Sequence, residues 1–337
     1  MMREIPISVL DLAPIVADGT AADSFRNSLD LARHAEQWGY QRYWLAEHHS
    51  MPGIASSATS LVIGYIAAGT QKIRVGSGGI MLPNHAPLVI AEQFGTLETM
   101  FPGRIDLGLG RAPGSDQLTA RALRRGLASG GQDFPELLSE LQAYFDPARE
   151  SDYRPLGVSA VPGEGLHIPI WLLGSSGFSA ELAGKLGLPF AFASHFAPDY
   201  LLPALELYRR NFQPSDVLDK PHAMVGINII AADTDEEARR LATSQQQQFL
   251  NIIRGRRGQL RPPVDSMEPL WAPHEKEYVL KQLSYSIAGS KQTIREKLPY
   301  ILEQTGADEI IVAAQVYDHN ARLRSYQLVS EAVQSAN

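Results

Sequence analysis

The chain has 337 residues, of which 44% are hydrophobic and 20% charged, so it is long enough to bury a sizeable core. It has no cysteine, which excludes disulfide bonds, thiolate metal sites and a cysteine nucleophile. The formal net charge is −7, and an acidic balance argues against a nucleic-acid partner because nucleic acids bind basic surfaces. One arginine cluster interrupts this pattern, and a solvated loop is its ordinary interpretation; its members are Arg254, Arg256, Arg257 and Arg261.

Residues 1–15 carry Arg3, Glu4 and Asp11 among short apolar runs. This pattern predicts neither a signal peptide nor a membrane span. We therefore expect a cytoplasmic protein without a membrane partner.

Short apolar segments rich in β-forming residues recur along the chain and are predicted to be strands. Most are hydrophobic nearly throughout, as parallel strands covered on both faces are. The predicted strands are Pro6–Leu12, Arg42–Glu47, Ile73–Met81, Arg104–Leu109, Ile168–Leu173, Phe190–Ser194, Ala223–Ala231 and Glu309–Gln315.

The segments between these strands carry apolar residues at helical spacing. In the first helix, Asp23 is the predicted N-cap and Gly39 the stop. Units of strand and helix in series predict an α/β protein, a (β/α)8 TIM barrel in which residues 1–337 form a single domain. A doubly wound open sheet is the alternative that periodicity leaves open.

Two longer connections break this alternation, Pro147–His167 and Arg254–Ser286. We expect them to be insertion loops at the C-terminal face of the strands. The second has several prolines and little helical periodicity, and it is predicted to be a mobile lid over the barrel mouth.

In a TIM barrel the active site lies at the C-terminal ends of the strands, and two candidate catalytic histidines follow such ends. His48 and His49 end the second strand, and since neighbouring residues point to opposite faces, only one can face the barrel axis. His195 follows the sixth strand. A histidine at the mouth suits general acid or base catalysis near neutral pH, and a structural role is the alternative.

Other strand ends carry residues suited to a cofactor. Gly78 and Gly79 would let a flat ligand approach the third strand, although a bulge would also explain them. Arg111 at the end of the fourth strand suits an anion. After the fifth strand, a Gly/Ser turn opens a helix and offers free N–H groups for a phosphate, with an ordinary serine N-cap as the alternative; its residues are Ser175, Ser176, Gly177 and Ser179.

Two familiar signatures are missing from the sequence. It has neither the G-x-G-x-x-G of dinucleotide-binding folds nor the H-E-x-x-H of zinc enzymes, and adjacent histidines are poor metal ligands. We therefore predict no metal site.

Three segments resemble the bacterial luciferase-like flavin-dependent monooxygenases in order and spacing: Tyr43–His49, Arg74–Pro83 and Pro102–Arg111. The match is specific over the N-terminal two thirds of the chain and diffuse beyond. Gly110 and Ser194 stand where light-emitting members often carry cysteine and tryptophan, so the resemblance is to the non-luminescent branch.

The resemblance implies an enzyme that reacts reduced FMN with dioxygen to a C4a-hydroperoxide and oxidises a small organic substrate. NAD(P)H would be the electron donor, through a separate NAD(P)H:flavin reductase. His48 would face the flavin, Gly78–Gly79 would be a cis peptide beside its ring, and Arg111 with Ser175, Ser176 and Ser179 would hold its phosphate.

The resemblance also implies a homodimer formed through early outer helices. Residues 60–68 are apolar almost all round, which fits an interface as well as a core.

Three alternatives stay open. The deazaflavin F420 serves a related branch in the same site, and a flavin-binding protein without turnover would keep the same phosphate site, although the retained Glu47-His48-His49 argues against that. A metal-dependent barrel hydrolase is the third.

Overall fold

The computed structural model describes residues 5–112, 117–123, 131–149 and 151–334. Within these ranges, eight parallel strands follow one another around a closed barrel, and a ninth strand, β8, pairs only with β7. The strands are β1 (Ile7–Asp11), β2 (Arg42–Leu45), β3 (Arg74–Met81), β4 (Ile105–Gly110), β5 (Ile170–Gly174), β6 (Phe190–Phe192), β7 (Ala223–Ala231), β8 (Ile287–Gly289) and β9 (Glu309–Ala313).

The barrel closes through two pairings of β7. Its neighbours are β6, through Phe190 and Ala223, and β9, which in turn pairs with β1. Each predicted strand corresponds to one barrel strand, so the TIM barrel is confirmed and the doubly wound open sheet is wrong. The sixth and eighth predicted strands end earlier than expected, at Phe192 and Ala313.

Helices cover the outside of the barrel. They are α1 (Ala21–Gln37), α2 (Thr59–Ala68), α3 (Pro87–Met100), α4 (Gln117–Leu123), α5 (Phe134–Phe145), α6 (Gly177–Leu186), α7 (Leu201–Asn211), α8 (Asp235–Ile253), α9 (Pro273–Gln282), α10 (Lys291–Thr305) and α11 (His319–Gln334). None of the helices in the described ranges is long and apolar enough to cross a membrane.

The start of α1 differs from the prediction. Thr20, not Asp23, is the N-cap, and its hydroxyl accepts from the Asp23 amide at 3.2 Å while the Asp23 carboxylate accepts from the Thr20 amide at 2.9 Å. This reciprocal pair is a capping box, in which the acidic residue stands three positions after the cap.

Two apolar cores hold the barrel. The larger lies between strands and helices, and the smaller fills the barrel interior, where Trp44 and Trp171 meet edge to face at 5.3 Å. At the N-terminal end of the strands, the buried Asp106 pairs with Arg42 at 2.7 Å and with Arg74 at 2.6 Å. Side chains thus fill this end, and the space for a ligand lies at the opposite one.

The segment Arg254–Ser286 differs from its prediction, because it contains the helix α9. Val279 is the one residue of α9 that is buried, so the helix has no apolar stripe for the sequence to reveal. The segment packs onto α8 through a small cluster made of Phe249, Leu250, Met267 and Val279, with Trp271 against it.

Candidate functional site

A cavity of about 620 Å³ lies at the C-terminal ends of the barrel strands. This is within the range of small-molecule sites. Of the site residues predicted from sequence, those that line it are His48, Gly78, Gly79, Arg111, Ser175, Ser176, Ser179 and His195. Gly177 begins α6 instead, where an added Cβ would meet Leu207 at 3.1 Å and Tyr200 at 3.2 Å.

The two histidines of the cavity share an unusual feature. Nδ1 of His48 and Nδ1 of His195 are both buried, and neither has a hydrogen-bond partner in the described part of the chain. Burial lowers the pKa of His48, and burial together with the nearby His48 lowers the pKa of His195 to about 4. Both rings are therefore neutral near pH 7, and each has one ring nitrogen without a hydrogen-bond partner in the described ranges.

His49 belongs to a different arrangement, centred on the buried carboxylate of Glu47. His49 Nε2 lies 2.7 Å from Glu47 Oε1, His85 Nε2 lies 3.0 Å from both carboxylate oxygens, and the Met81 amide donates at 3.0 Å. Burial acts to raise the pKa of Glu47, but these hydrogen bonds outweigh it and lower the pKa to about 2. Glu47 thus ties the end of β2 to the end of β3.

The same three side chains form a group in which metal-ligand atoms lie within 4.8 Å of one another. The sequence predicts no metal site, and His85 stands after a proline-containing turn with no motif that would mark it. The hydrogen bonds to Glu47 give the cluster a structural role without a metal.

The glycines of β3 form part of the cavity wall. The peptide between Gly78 and Gly79 is cis, as predicted. A Cβ at Gly79 would lie 2.6 Å from the Gly108 carbonyl oxygen, and one at Gly78 would lie 2.7 Å from Leu10 Cδ1. Packing against the β4 backbone therefore requires glycine at position 79, while at position 78 the Leu10 side chain would have to move.

Arg111 and the start of α6 lie together at one end of the cavity. The Arg111 guanidinium lies over the Phe178 ring of α6, 4.2 Å from its centroid. Ser176 is the N-cap residue, but its hydroxyl makes no capping hydrogen bond. A guanidinium beside a helix N-terminus, whose first N–H groups have no partners within the helix, favours a phosphate.

The remaining walls were not predicted. Trp44, Phe192 and Phe249 give apolar surface, and Arg256 and Arg257 line the mouth after α8. Both arginines belong to the segment Arg254–Ser286 that was predicted to cover the barrel mouth, but the sequence did not indicate which of its residues face the cavity.

The chain matches the model of the luciferase-like monooxygenase family over residues 5–309. It therefore belongs to that family, as the resemblance predicted. It is 62% identical to the uncharacterized protein YvbT of Bacillus subtilis (strain 168), over 98% of this chain and 97% of that protein. It is 57% identical, over 98% and 97%, to a luciferase-like monooxygenase of Escherichia coli (strain K12). The crystal structure of apo-MsnO8 has a TM-score of 0.86 and is 34% identical, with 98% of each chain covered.

More distant solved structures share the fold. One is the oxygenating constituent of 3,6-diketocamphane monooxygenase from Pseudomonas putida in complex with FMN, at 19% identity and TM-score 0.71, with 98% of each chain covered. Another is an F420-dependent secondary alcohol dehydrogenase with an F420-acetone adduct, at 15% identity and TM-score 0.69, with 98% and 99% covered. The fold alone therefore does not distinguish the two cofactors.

Proposed function

We propose that this protein is an FMN-dependent monooxygenase, a single barrel domain over residues 1–337 that uses reduced FMN and dioxygen to oxidise a small organic substrate. One observation carries this proposal. A single cavity joins an anion-binding end, at Arg111 and α6, to two histidines whose buried Nδ1 atoms have no partner in the described chain.

The lining residues fit a long ligand with a phosphate at one end and a flat ring at the other. Arg111 would hold the phosphate, together with the hydroxyls of Ser175, Ser176 and Ser179 at the start of α6. The ring would lie beside Gly78–Gly79, where side chains are excluded and the backbone forms the wall.

Reduced FMN, when bound, supplies the electrons that activate dioxygen. His48 is neutral near pH 7 because burial lowers its pKa, so its imidazole can accept a proton from a ligand and return it. His195 offers a second neutral ring nearby, and its charge state is linked to that of His48. The apolar surfaces of Trp44, Phe192 and Phe249 would exclude water from the reacting groups.

FMN is preferred to F420 because the curated Escherichia coli relative is named a monooxygenase, and oxygen insertion requires a reduced cofactor that reacts with dioxygen. NAD(P)H would supply the electrons through a separate flavin reductase, since the sequence has no G-x-G-x-x-G of its own.

Absorbance titration of the purified protein with FMN and with F420, followed by oxygen uptake with NADH and a flavin reductase, tests the proposal. We expect saturable FMN binding and protein-dependent oxygen uptake. Tighter binding of F420 without oxygen uptake would make the protein a deazaflavin oxidoreductase. FMN binding that leaves the reductase-only rate of uptake unchanged would make it a flavin-binding protein. A stoichiometric metal in elemental analysis would instead favour a metal-dependent hydrolase using Glu47, His49 and His85.

We also propose that the protein is a homodimer through α2 and α3. The support is apolar surface on two adjacent helices, where Leu61 is 75% exposed and Tyr65 and Val89 are each 43% exposed. Apolar side chains gathered in this way commonly mark an interaction surface.

A further inference from the structure

Two arginines at the cavity mouth have no part in the proposed FMN site. Arg256 and Arg257 follow the C-terminal end of α8 and line the cavity. Arg257 Nη1 donates to the Ser50 carbonyl at 3.2 Å, and the Arg256 amide donates to the Asn251 carbonyl at 2.8 Å. Backbone contacts and this side-chain bond therefore hold both residues at the mouth.

The loop that carries them is packed closely against the loops that follow β1 and β2. A Cβ added at Gly53 would lie 2.3 Å from the Gly258 carbonyl oxygen, and the Leu260 amide donates to the Ile15 carbonyl at 3.0 Å. This places the pair beside the β1 and β2 ends of the barrel. Arg111 and α6 follow β4 and β5, on the opposite side of the ring of strands.

The other arginines of the cluster are differently placed. Arg254 forms two hydrogen bonds of 2.7 Å with the carboxylate of Glu275, and Arg261 does not line the cavity. Arg256 and Arg257 are thus the members of the cluster that face the site.

The charges along the cavity wall differ from those of the whole chain. The formal net charge of the chain is −7, yet within the described ranges the charged residues that line the cavity are Arg111, Arg256, Arg257 and Glu47. The Glu47 carboxylate is occupied by His49 and His85. Clustered charges of one sign along a cleft raise the local concentration of ligands of opposite charge, here anions.

Apolar side chains stand next to this pair. Met51 and Ile54 from the loop after β2, together with Phe249 and Ile252 from α8, line the same cavity. Ile252 is 60% exposed although it belongs to this wall, so a ligand at the mouth would cover apolar surface that is now in contact with water.

We infer that the substrate of the proposed monooxygenase is an organic anion, an apolar molecule with a carboxylate or a comparable anionic group. Arg256 and Arg257 bind the anionic group, and the apolar part lies against Met51, Ile54 and Phe249. This inference rests on the proposed function, because it assigns the substrate class to the same cavity.

Calorimetric titration with octanoate and with 1-octanol tests the subsite, since the two probes share an apolar chain and differ in charge. Both the protein alone and the protein with FMN are titrated. We expect octanoate to bind more tightly than 1-octanol to the wild type, and the double variant Arg256→Gln, Arg257→Gln to weaken octanoate about ten-fold, since two partly hydrated charge contacts are lost. Binding of 1-octanol should stay unchanged. Arg261→Gln is the control, because it removes one positive charge of the same cluster outside the cavity.

Added salt should weaken the binding of octanoate and leave the binding of 1-octanol unchanged, since salt screens exposed charge pairs. Equal affinity for the two probes in the wild type, no saturable binding of either, or an equal loss in Arg261→Gln and the double variant would overturn the subsite. Loss of FMN binding in the double variant, with Arg111→Ala unaffected, would place the phosphate here; it would overturn the substrate subsite and the placement of the phosphate at Arg111, but not the dependence on FMN. Absence of FMN-dependent oxygen uptake alone would overturn only the proposed function.

Discussion

His48 and His195 both place a buried Nδ1 at the cavity wall without a partner in the described chain. Such atoms are uncommon because an unsatisfied buried polar group costs free energy, unless a ligand completes it. His49, the residue after His48, has its Nε2 in a hydrogen bond with Glu47. The sequence predicted that only one histidine of the pair faces the barrel axis, and the cavity identifies it as His48.

The first prediction concerns His48. His48→Ala should keep the fold and FMN binding but lose about 10²- to 10⁴-fold in turnover, the usual effect of removing an acid–base group. Stopped-flow absorbance of the reduced, FMN-loaded enzyme mixed with dioxygen across a pH series measures it. Because burial lowers the pKa of His48, the reaction rate of the wild type should change at a pH below the ordinary histidine pKa of 6.5. His49→Ala is the control and should leave that profile in place. Identical profiles in wild type and His48→Ala would assign the role to His195.

A second prediction follows from the pKa of His195, which burial and His48 lower from 6.5 to about 4. Between these values the unfolded chain binds more protons than the folded one, so stability is fully present above pH 6.5 and falls as the pH drops toward 4. Urea denaturation should therefore show a weaker dependence on pH across this window in His195→Asn than in wild type. His274→Asn, at an exposed position, should leave this pH dependence unchanged. The carboxylate of Glu47 affects stability only at lower pH, between its ordinary pKa of 4.5 and its lowered pKa of about 2. An unaltered slope in His195→Asn would contradict the burial of this ring.

The third prediction concerns the phosphate end. Arg111→Ala should weaken FMN binding about 10- to 100-fold, since a hydrogen bond to a charged group is worth about 1.5–3 kcal/mol. Ser176→Ala should weaken it less, because the helix N-terminus remains. Fluorescence titration of FMN measures both, and Arg121→Ala on the exposed face of α4 is the control. Unchanged affinity in both site variants would move the phosphate elsewhere.

At the scale of the elements, the sequence predicted the barrel strands, which share a repeated hydrophobic pattern. It missed β8 and α9, which depend on packing against other elements. Strands such as β7, buried at all nine positions, are hydrophobic apart from single residues such as Asn228 and were predicted within a few residues. In contrast, β8 has three residues and forms only because β7 extends beyond the barrel to pair with it. The helix α9 buries Val279 alone, so no periodic stripe marks it.

The fourth prediction concerns the segment between α8 and β8. Met267 is 4% exposed and packs with Phe249 and Val279, so Met267→Ala should cost about 2–5 kcal/mol locally. Hydrogen exchange of the α9 amides should increase while the barrel strands stay protected. Leu270→Ala, in the same segment but 39% exposed, should change neither the local stability nor the exchange of the α9 amides. Exchange that rises equally in α9 and the barrel would mean that the segment does not open by itself.

At the scale of the whole molecule, the barrel explains why distant residues meet. Parallel strands end at one rim, so residues that are far apart in the chain, such as His48, Arg111 and His195, gather there. The sequence could place these residues at the rim once the strands were predicted. Arg256 and Arg257 reach the rim from a helical connection. Their position depends on the packing of the loop against Gly53 and Ile15, which no local pattern specifies.

The last prediction concerns assembly. If α2 and α3 form the proposed dimer interface, the protein should sediment at twice its 36.9 kDa chain mass. Leu61→Asp would place a charge in the middle of that interface, and because burying an unpaired charge is costly, it should shift the protein to monomers. Val217→Asp is the matched control, since Val217 is 54% exposed on the connection before β7, a strand that lies across the ring from β2 and β3. Sedimentation equilibrium over a range of concentrations measures both variants. A wild type that is monomeric at every concentration, or a Leu61→Asp variant that dimerises like Val217→Asp, would show that the apolar surface of α2 and α3 has another occupant.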